Sequence, residues 1–371
     1  MKKINIIVLL FIIFSISGCE RKQQIVSEKM SDVEIEFVLL EATAADEVNL
    51  EKEEIEKREL GLIIQTQKVH IVGSNRGNAV HWLNGETTIL SKGTESIAGA
   101  SGIVVSNSDV YIAGYEIKYF EGKYIRTDAV YWLNGVKTEL PAEFSNPRVS
   151  AITISGSDVY IVGRDGSEAV YWLNGVQIVL PKTGIRGRLP SAWASAIAIS
   201  GSDVYIVGSD GEDAVYWLNE IKVVLPSSGA HPGATATGIV ISESDVIIVG
   251  RDGLNAVYWK NGIQTVLYAG SISPTYSSGS ADAVAISGSD IYITGWSDGD
   301  IVYWLNGVKS EPLLFESGDE YPPTIRPEAI AISDSDVLIV GVDGDNAVLW
   351  LNGNRIVLHN LSWATAIFAT Q

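Results

Sequence analysis

One heptapeptide recurs seven times along this chain and constrains its fold more than any other feature. AVYWLNG stands at 169–175 and, with small changes, at 79–85, 129–135, 214–220, 256–262, 301–307 and 347–353. The central tryptophans are Trp82, Trp132, Trp172, Trp217, Trp259, Trp304 and Trp350, spaced 50, 40, 45, 42, 45 and 46 residues apart. A period in the forties with four short strands per unit predicts an all-β, seven-bladed β-propeller of four-stranded antiparallel blades over residues 60–371.

The unit is clearest at 196–226, AIAISGSDVYIVGSDGEDAVYWLNEIKVVLP. Strand A reads as AIAIS (196–200), B as DVYIVG (203–208), C as AVYWLN (214–219) and D as KVVLP (222–226), each short and rich in β-formers. Ser-Gly-Ser-Asp turns A into B, and Asp-Gly turns B into C. Asn-Gly, a strong two-residue hairpin signal, turns C into D. Asn219-Glu220 departs from that rule, which predicts a strained or altered turn there. Proline after several D strands suits an outer edge that needs blunting. The small residues alternating in strand A place it innermost, at the crowded axis. The heptapeptide is then strand C plus its turn, and its Trp fills the space between blades. Seven exposed Trp acting as sugar platforms is the competing reading, but Trp flanked by Val and Leu in a strand is usually core. Strand A has an eighth copy: LGLII (60–64) and ATAIFAT (364–370) both match it. That excess predicts a ring closed by pairing of the two chain ends, with either copy able to close it.

The N-terminus carries a different signal. Lys2 and Lys3 precede an apolar run from Ile6 to Phe14, too short to span a bilayer. Ile16-Ser17-Gly18-Cys19 follows and resembles the lipobox of bacterial lipoproteins. The resemblance implies a signal peptide over 1–18, lipidation of Cys19, and an exported protein held to the cell envelope. Glu20 after the cysteine implies the outer membrane, where the cell has one. The competing reading, an ordinary buried Cys or a chance Cys after a secretory signal, does not explain its position. Cys19 is the only cysteine, so no intramolecular disulfide forms and core burial must hold the domain together. Residues 20–59 hold 13 acids against 6 bases and lack Trp, Gly and Pro. They read as a charged tether within a 19–59 segment, strand-like at VEIEFV (33–38) and helical at 47–60; a partner-binding helix is the alternative.

The chain has 26 basic and 45 acidic residues, net −19; loss of Lys2 and Lys3 leaves 24 against 45, net −21. Such a balance excludes phosphate-rich partners, so nucleic-acid binding is not expected. The membrane is engaged only through the lipid, and the protein is expected to be a monomer.

An enzyme would show a constellation that breaks the repeat. His70 and His81 replace the Tyr of other copies, and His231 and His359 lie apart from them in the sequence, without metal-ligand spacing. No nucleophile elbow is present. No catalytic residues and no confident metal site are assigned. Two features collect in the turns. The B–C turns repeat an acid at Asp165, Asp210, Asp252, Asp298 and Asp343. Asp-Gly turn chemistry explains them; the sharper reading is an acidic ring for Ca²⁺ or a cationic partner. The D–A loops vary between copies and hold Phe144, Arg148, Arg186, Arg188, Trp193, His231, Tyr276, Glu320, Tyr321 and Arg326. A B–C insertion at 115–127 adds Tyr119 and Tyr124. Aromatic and Arg side chains on a rigid scaffold are typical anchors of an interface, though long loops also pack on themselves.

The repeat ISGSDVYIVG…AVYWLNGV is similar to that of a family of exported bacterial proteins, over roughly 60–371 and most closely at SNSDVYIAGYE (106–116). The resemblance implies a propeller-like fold and surface location, and no activity. SDGDIVYW (297–304) does not match the Asp box of sialidases. The expectation is a surface-anchored lipoprotein whose propeller binds protein or glycan without catalysis. The alternatives are an extracellular polysaccharide hydrolase or lyase, and an envelope-assembly scaffold. A deep axial pocket lined by converging carboxylates favours the enzyme; a broad exposed aromatic–Arg patch favours binding.

Overall fold

A computed structural model describes residues 24–30, 33–39, 68–91, 96–183, 191–272, 277–310, 313, 325–360 and 362–370. The chain divides into two units, Met1–Leu60 and Gly61–Gln371. In the first, β1 (Gln24–Met30) pairs antiparallel with β2 (Val33–Leu39). The strand read at 33–38 is therefore present, with a partner that lacks its clean alternation. Cys19 and the helical stretch 47–60 lie outside the described residues.

The second unit is a seven-bladed β-propeller. Blade I holds β3 (Lys68–Asn75), β4 (Asn78–Leu83) and β5 (Glu86–Ile89). Blade II holds β6 (Ser96–Ser106), β7 (Asp109–Phe120), β8 (Lys123–Leu133) and β9 (Val136–Glu139). Blade III holds β10 (Arg148–Ser155), β11 (Asp158–Asp165), β12 (Glu168–Leu173) and β13 (Val176–Val179). Blade IV holds β14 (Ala192–Ser200), β15 (Asp203–Asp210), β16 (Asp213–Leu218) and β17 (Ile221–Val224). Blade V holds β18 (Ala234–Ser242), β19 (Asp245–Asp252), β20 (Asn255–Lys260) and β21 (Ile263–Tyr268). Blade VI holds β22 (Gly279–Ser287), β23 (Asp290–Ser297), β24 (Asp300–Leu305) and β25 (Val308–Lys309). Blade VII holds β26 (Ile325–Ser333), β27 (Asp336–Asp343), β28 (Asn346–Leu351) and β29 (Asn354–Asn360). The last strand, β30 (Ser362–Thr370), pairs with β3 and completes blade I from inside. The C-terminal copy of strand A thus closes the ring, while 60–64 falls outside the described residues. Each inner strand packs on those of its two neighbours.

Every part of the heptapeptide has a place. All seven Trp side chains are at most 1 % exposed and fill the seams between blades. Trp217 packs with Val162, Tyr171 and Leu180 of the preceding blade. Trp172, Trp217 and Trp259 donate Nε1–H to the carbonyls of Pro141, Pro181 and Pro226 at 2.7–2.8 Å. The prolines after strand D therefore tie neighbouring blades as well as ending an edge. The Asn closing strand C clamps two hairpins: Asn219 Oδ1 accepts from Val204 N at 2.9 Å, and its Nδ2 donates to Asp203 at 2.9 Å. The same Asn–Asp clamp recurs in blades II to VII. The Asn219-Glu220 turn keeps the geometry of its siblings, with Glu220 held at φ +68° where they have Gly. That left-handed conformation is costly for a residue with a Cβ. Glu220 gains a hydrogen bond from the Tyr171 hydroxyl of blade III at 2.8 Å. In blade I the Tyr pair is replaced by His70 and His81, stacked with Nδ1 and Nε2 3.0 Å apart. Burial first, and then the neighbouring ring, holds His81 neutral with a pKa of about 4.

Candidate functional site

The inner strands do not run straight. Each carries one β-bulge at the same place, where an extra residue interrupts the pairing with the next strand out. The bulged residues are Ser101, Ser150, Ser195, Thr237, Asp282 and Glu328 on β6, β10, β14, β18, β22 and β26, and Thr365 on β30. A bulge re-aims a side chain out of the sheet's alternation, and all seven line one axial cavity of about 730 Å³. The glycine ending VYIVG in strand B makes this possible. In β15, a Cβ on Gly208 would lie 1.8 Å from the carbonyl oxygen of Trp193.

Five of the seven positions carry hydroxyls, and two of those stitch seams. Thr237 Oγ1 donates to the carbonyls of Val249 and Ala281, and Thr365 Oγ1 to those of Val72 and Ala100. Asp282 and Glu328, on adjacent blades, break the hydroxyl pattern. Asp282 is half-buried and accepts a hydrogen bond from Ser280 Oγ at 2.7 Å. Burial raises its carboxyl to about 6, against the pull of that bond and of Arg326 and Arg251. Glu328 is exposed and lines the cavity. Depth in the ring first, and then the charge of Asp282, raises it to about 7, against Arg326. Among the described residues Glu328 has no hydrogen-bond partner.

Aromatic and cationic groups stand above this ring. Trp193 and Trp296 both line the cavity, as do Arg326, Val149, Ile325 and Pro327. Trp193 is 38 % exposed; its Nε1–H is fixed to Ser150 Oγ at 2.7 Å, and the Arg164 guanidinium lies 4.5 Å from its ring centroid. Arg148 sits 5.6 Å from the Tyr115 ring centroid. Desolvation, and then the charge of Arg148, lowers the pKa of Arg164.

The expected loop residues are distributed differently. Arg148, Trp193 and Arg326 belong to inner strands rather than loops, because each strand A continues through its bulge and beyond the small-residue run. Trp193 and Arg326 are brought together in the cavity. The insertion at 115–127 extends the β7–β8 hairpin, with one shift of register between Lys118 and Tyr119. Tyr119 and Tyr124 pack edge-to-face there at 6.4 Å, outside the cavity lining, and the Tyr124 hydroxyl donates to Asn146. Arg186, Arg188, Tyr276, Glu320 and Tyr321 lie outside the described residues. His359 falls inside β29, with its Nε2 3.3 Å from Asn75 Nδ2 in blade I.

The repeated acids do not form an open ring. Asp165, Asp210, Asp252 and Asp343 are at most 3 % exposed, and each ends strand B facing its own partners. Asp165 accepts from the backbone of Glu143 and Phe144 at 2.7 and 2.8 Å and from Gln177. Asp210 accepts from Thr183 N and pairs with Lys222; Asp252 accepts from Ser227, Ser228 and Gln264; Asp343 pairs with Arg355. In the first three, the carboxylate ties down the loop entering its blade. Asp298 is instead an exposed turn residue at φ +57°, and Ser297 occupies the buried place. Among the described residues no three His, Cys, Asp or Glu side chains are grouped as metal ligands.

The axial residues escape a reading built on turns, yet they leave a trace. The residue just before the small residue of strand A is Ser, Ser, Ser, Thr, Asp, Glu and Thr across the seven copies. No family model matches the chain, and no curated protein matches it in sequence. Among solved structures, the chain is similar to a Bacteroides uniformis protein assigned as a 6-phosphogluconolactonase, with 13 % identity, 82 % of this chain and 99 % of that one covered, and a TM-score of 0.46. It is also similar to apo AztD from Citrobacter koseri, with 10 % identity, 82 % and 98 % covered, and a TM-score of 0.38.

Proposed function

We propose that this protein is an envelope-anchored binding module whose ligand, a glycan, enters the axial cavity. The observation that carries the reading is the meeting of Trp193, Trp296, Arg326, two carboxyls and five hydroxyls around one opening. A cavity of about 730 Å³ is the size of a small-molecule site. An apolar ligand would strand the ring of polar side chains, at a cost for each unpaired group. A sugar matches both halves: its C–H face stacks on indole, and its hydroxyls pair with carboxyl, guanidinium and hydroxyl groups. The lipid on Cys19 holds the propeller at the membrane surface.

The test is a thermal-shift and calorimetric screen of the full-length chain in detergent against a glycan panel. A binding glycan should lose about 30-fold in affinity in Trp193→Ala and in Trp296→Ala, the effect of truncating an aromatic anchor worth about 2 kcal/mol. No shift with any glycan would sink the reading. The anchor is checked separately: Cys19→Ala should move the protein from the detergent phase to the aqueous phase on Triton X-114 partition. Retention in the detergent phase would refute lipidation.

A further inference from the structure

We propose that Asp282 and Glu328 hydrolyse a glycosidic bond of the glycan held in the axial cavity, with Glu328 as proton donor and Asp282 as base. This inference rests on the glycan reading above. Both side chains sit at bulges, the positions aimed at the axis, and on neighbouring blades. They alone depart from the hydroxyls that fill the other five positions. A seam stitch needs only the hydroxyl that Thr237 and Thr365 supply, so two acids here answer no requirement of the fold.

Their surroundings divide the labour. Glu328 has no hydrogen-bond partner among the described residues and opens into the cavity, so its proton is free to reach a ligand. Asp282 is held by Ser280 Oγ and lies in the field of Arg326 on β26 and Arg251 on β19, which favours its ionised form. The inner strands on either side, β18 and β30, present only Thr237 and Thr365, and β23 presents Trp296, so no further charge lines this side. The carboxyl held near 7 is the one assigned as acid, and the one near 6 as base. Two carboxyls separated in this way can carry general acid and general base roles at one pH.

The step balances as follows. The bond between the anomeric carbon and the leaving oxygen breaks as Glu328 gives that oxygen its proton. A water oxygen bonds to the anomeric carbon and gives its proton to Asp282. Solvent then returns a proton from Asp282 to Glu328, leaving two sugar fragments and the protein unchanged. Trp193, Trp296 and Arg326 hold the chain across the pair.

The experiment uses the full-length chain and the panel glycan that gives the largest thermal shift. New reducing ends are measured from pH 4 to 9. Turnover is expected with an optimum between about 6 and 7, because Asp282 must be ionised and Glu328 protonated. Glu328→Gln and Asp282→Asn should each cut turnover by at least about 10²-fold, the usual contribution of a positioned acid or base. Each variant's dissociation constant for the glycan is measured beside its turnover, and turnover is compared at saturating glycan, so that weaker binding is not read as lost chemistry. A glycan that binds but releases no reducing ends overturns the inference while leaving the binding reading intact. Turnover that survives both substitutions overturns it too. If no glycan binds, the binding reading has failed and hydrolysis falls with it.

Discussion

A chain ending at residue 361 will not close its ring. The strand it loses, β30, forms eight register pairs with β3 and is the inner strand of blade I. Ala366 and Phe368 leave the core shared by blades I and II, and the Thr365 hydroxyl no longer bridges Val72 and Ala100. β3 becomes an open edge in the middle of the structure, an invitation to pair with another chain. The expected loss is comparable to the whole stability of a domain, about 5–15 kcal/mol. Circular dichroism melts and size-exclusion chromatography read the outcome. Loss of the cooperative transition, or aggregation, is expected. A truncated chain that stays monomeric and melts within about 3 °C of the full chain would show that blade I closes without its C-terminal strand.

Replacement of Gly208 by Ala should cost about 3 kcal/mol or more, the upper range for overpacking in a tight interior. The added Cβ would lie 1.8 Å from the Trp193 carbonyl oxygen, and a backbone atom in a paired strand cannot swing aside. Relief requires the bulge at Ser195 to unwind. The equivalent glycines Gly73, Gly114, Gly163, Gly250, Gly295 and Gly341 meet the same contact at 1.8–2.1 Å, so the effect belongs to the architecture rather than to one blade. Gly201→Ala is the control: its φ of +61° strains an added side chain, but nothing lies near the new atom. It should cost about 1 kcal/mol. Urea unfolding distinguishes them, as a drop in midpoint at unchanged slope. A loss under about 1 kcal/mol for Gly208→Ala would mean that the bulge adjusts freely.

The architecture was legible because it is written seven times. One ambiguous strand becomes secure when its Trp, its Asn-Gly turn and its spacing recur together. Closure by a terminal strand followed from the surplus copy of strand A. The site was far less legible, for two physical reasons. A bulge breaks the two-residue period by which strands are read, so strand A ended short and Trp193 and Arg326 fell into apparent loops. The turn acids posed the opposite problem. Composition identifies Asp165 and Asp210 as good turn residues, but not that their carboxylates fold inward to hold the loop that enters their own blade. Asp282 and Glu328 were visible as the odd members of one column, a signal that emerges only when that column is known to face the axis.

Each blade contributes one letter to the axis, from the same backbone kink, while Trp and Pro elsewhere in the repeat join it to its neighbour and Asn clamps its own turns. The cavity is therefore a seven-letter word, Ser-Ser-Ser-Thr-Asp-Glu-Thr, whose spelling is largely independent of the scaffold that displays it. Among the described residues Ser101 and Ser195 make no seam stitch of the kind seen at Thr237 and Thr365, so single substitutions there are expected to alter the cavity lining with little effect on folding, whereas Ser150 also holds the Trp193 indole across the seam between blades III and IV. A library randomised at Ser101 and Ser195 would vary that lining on an unaltered ring.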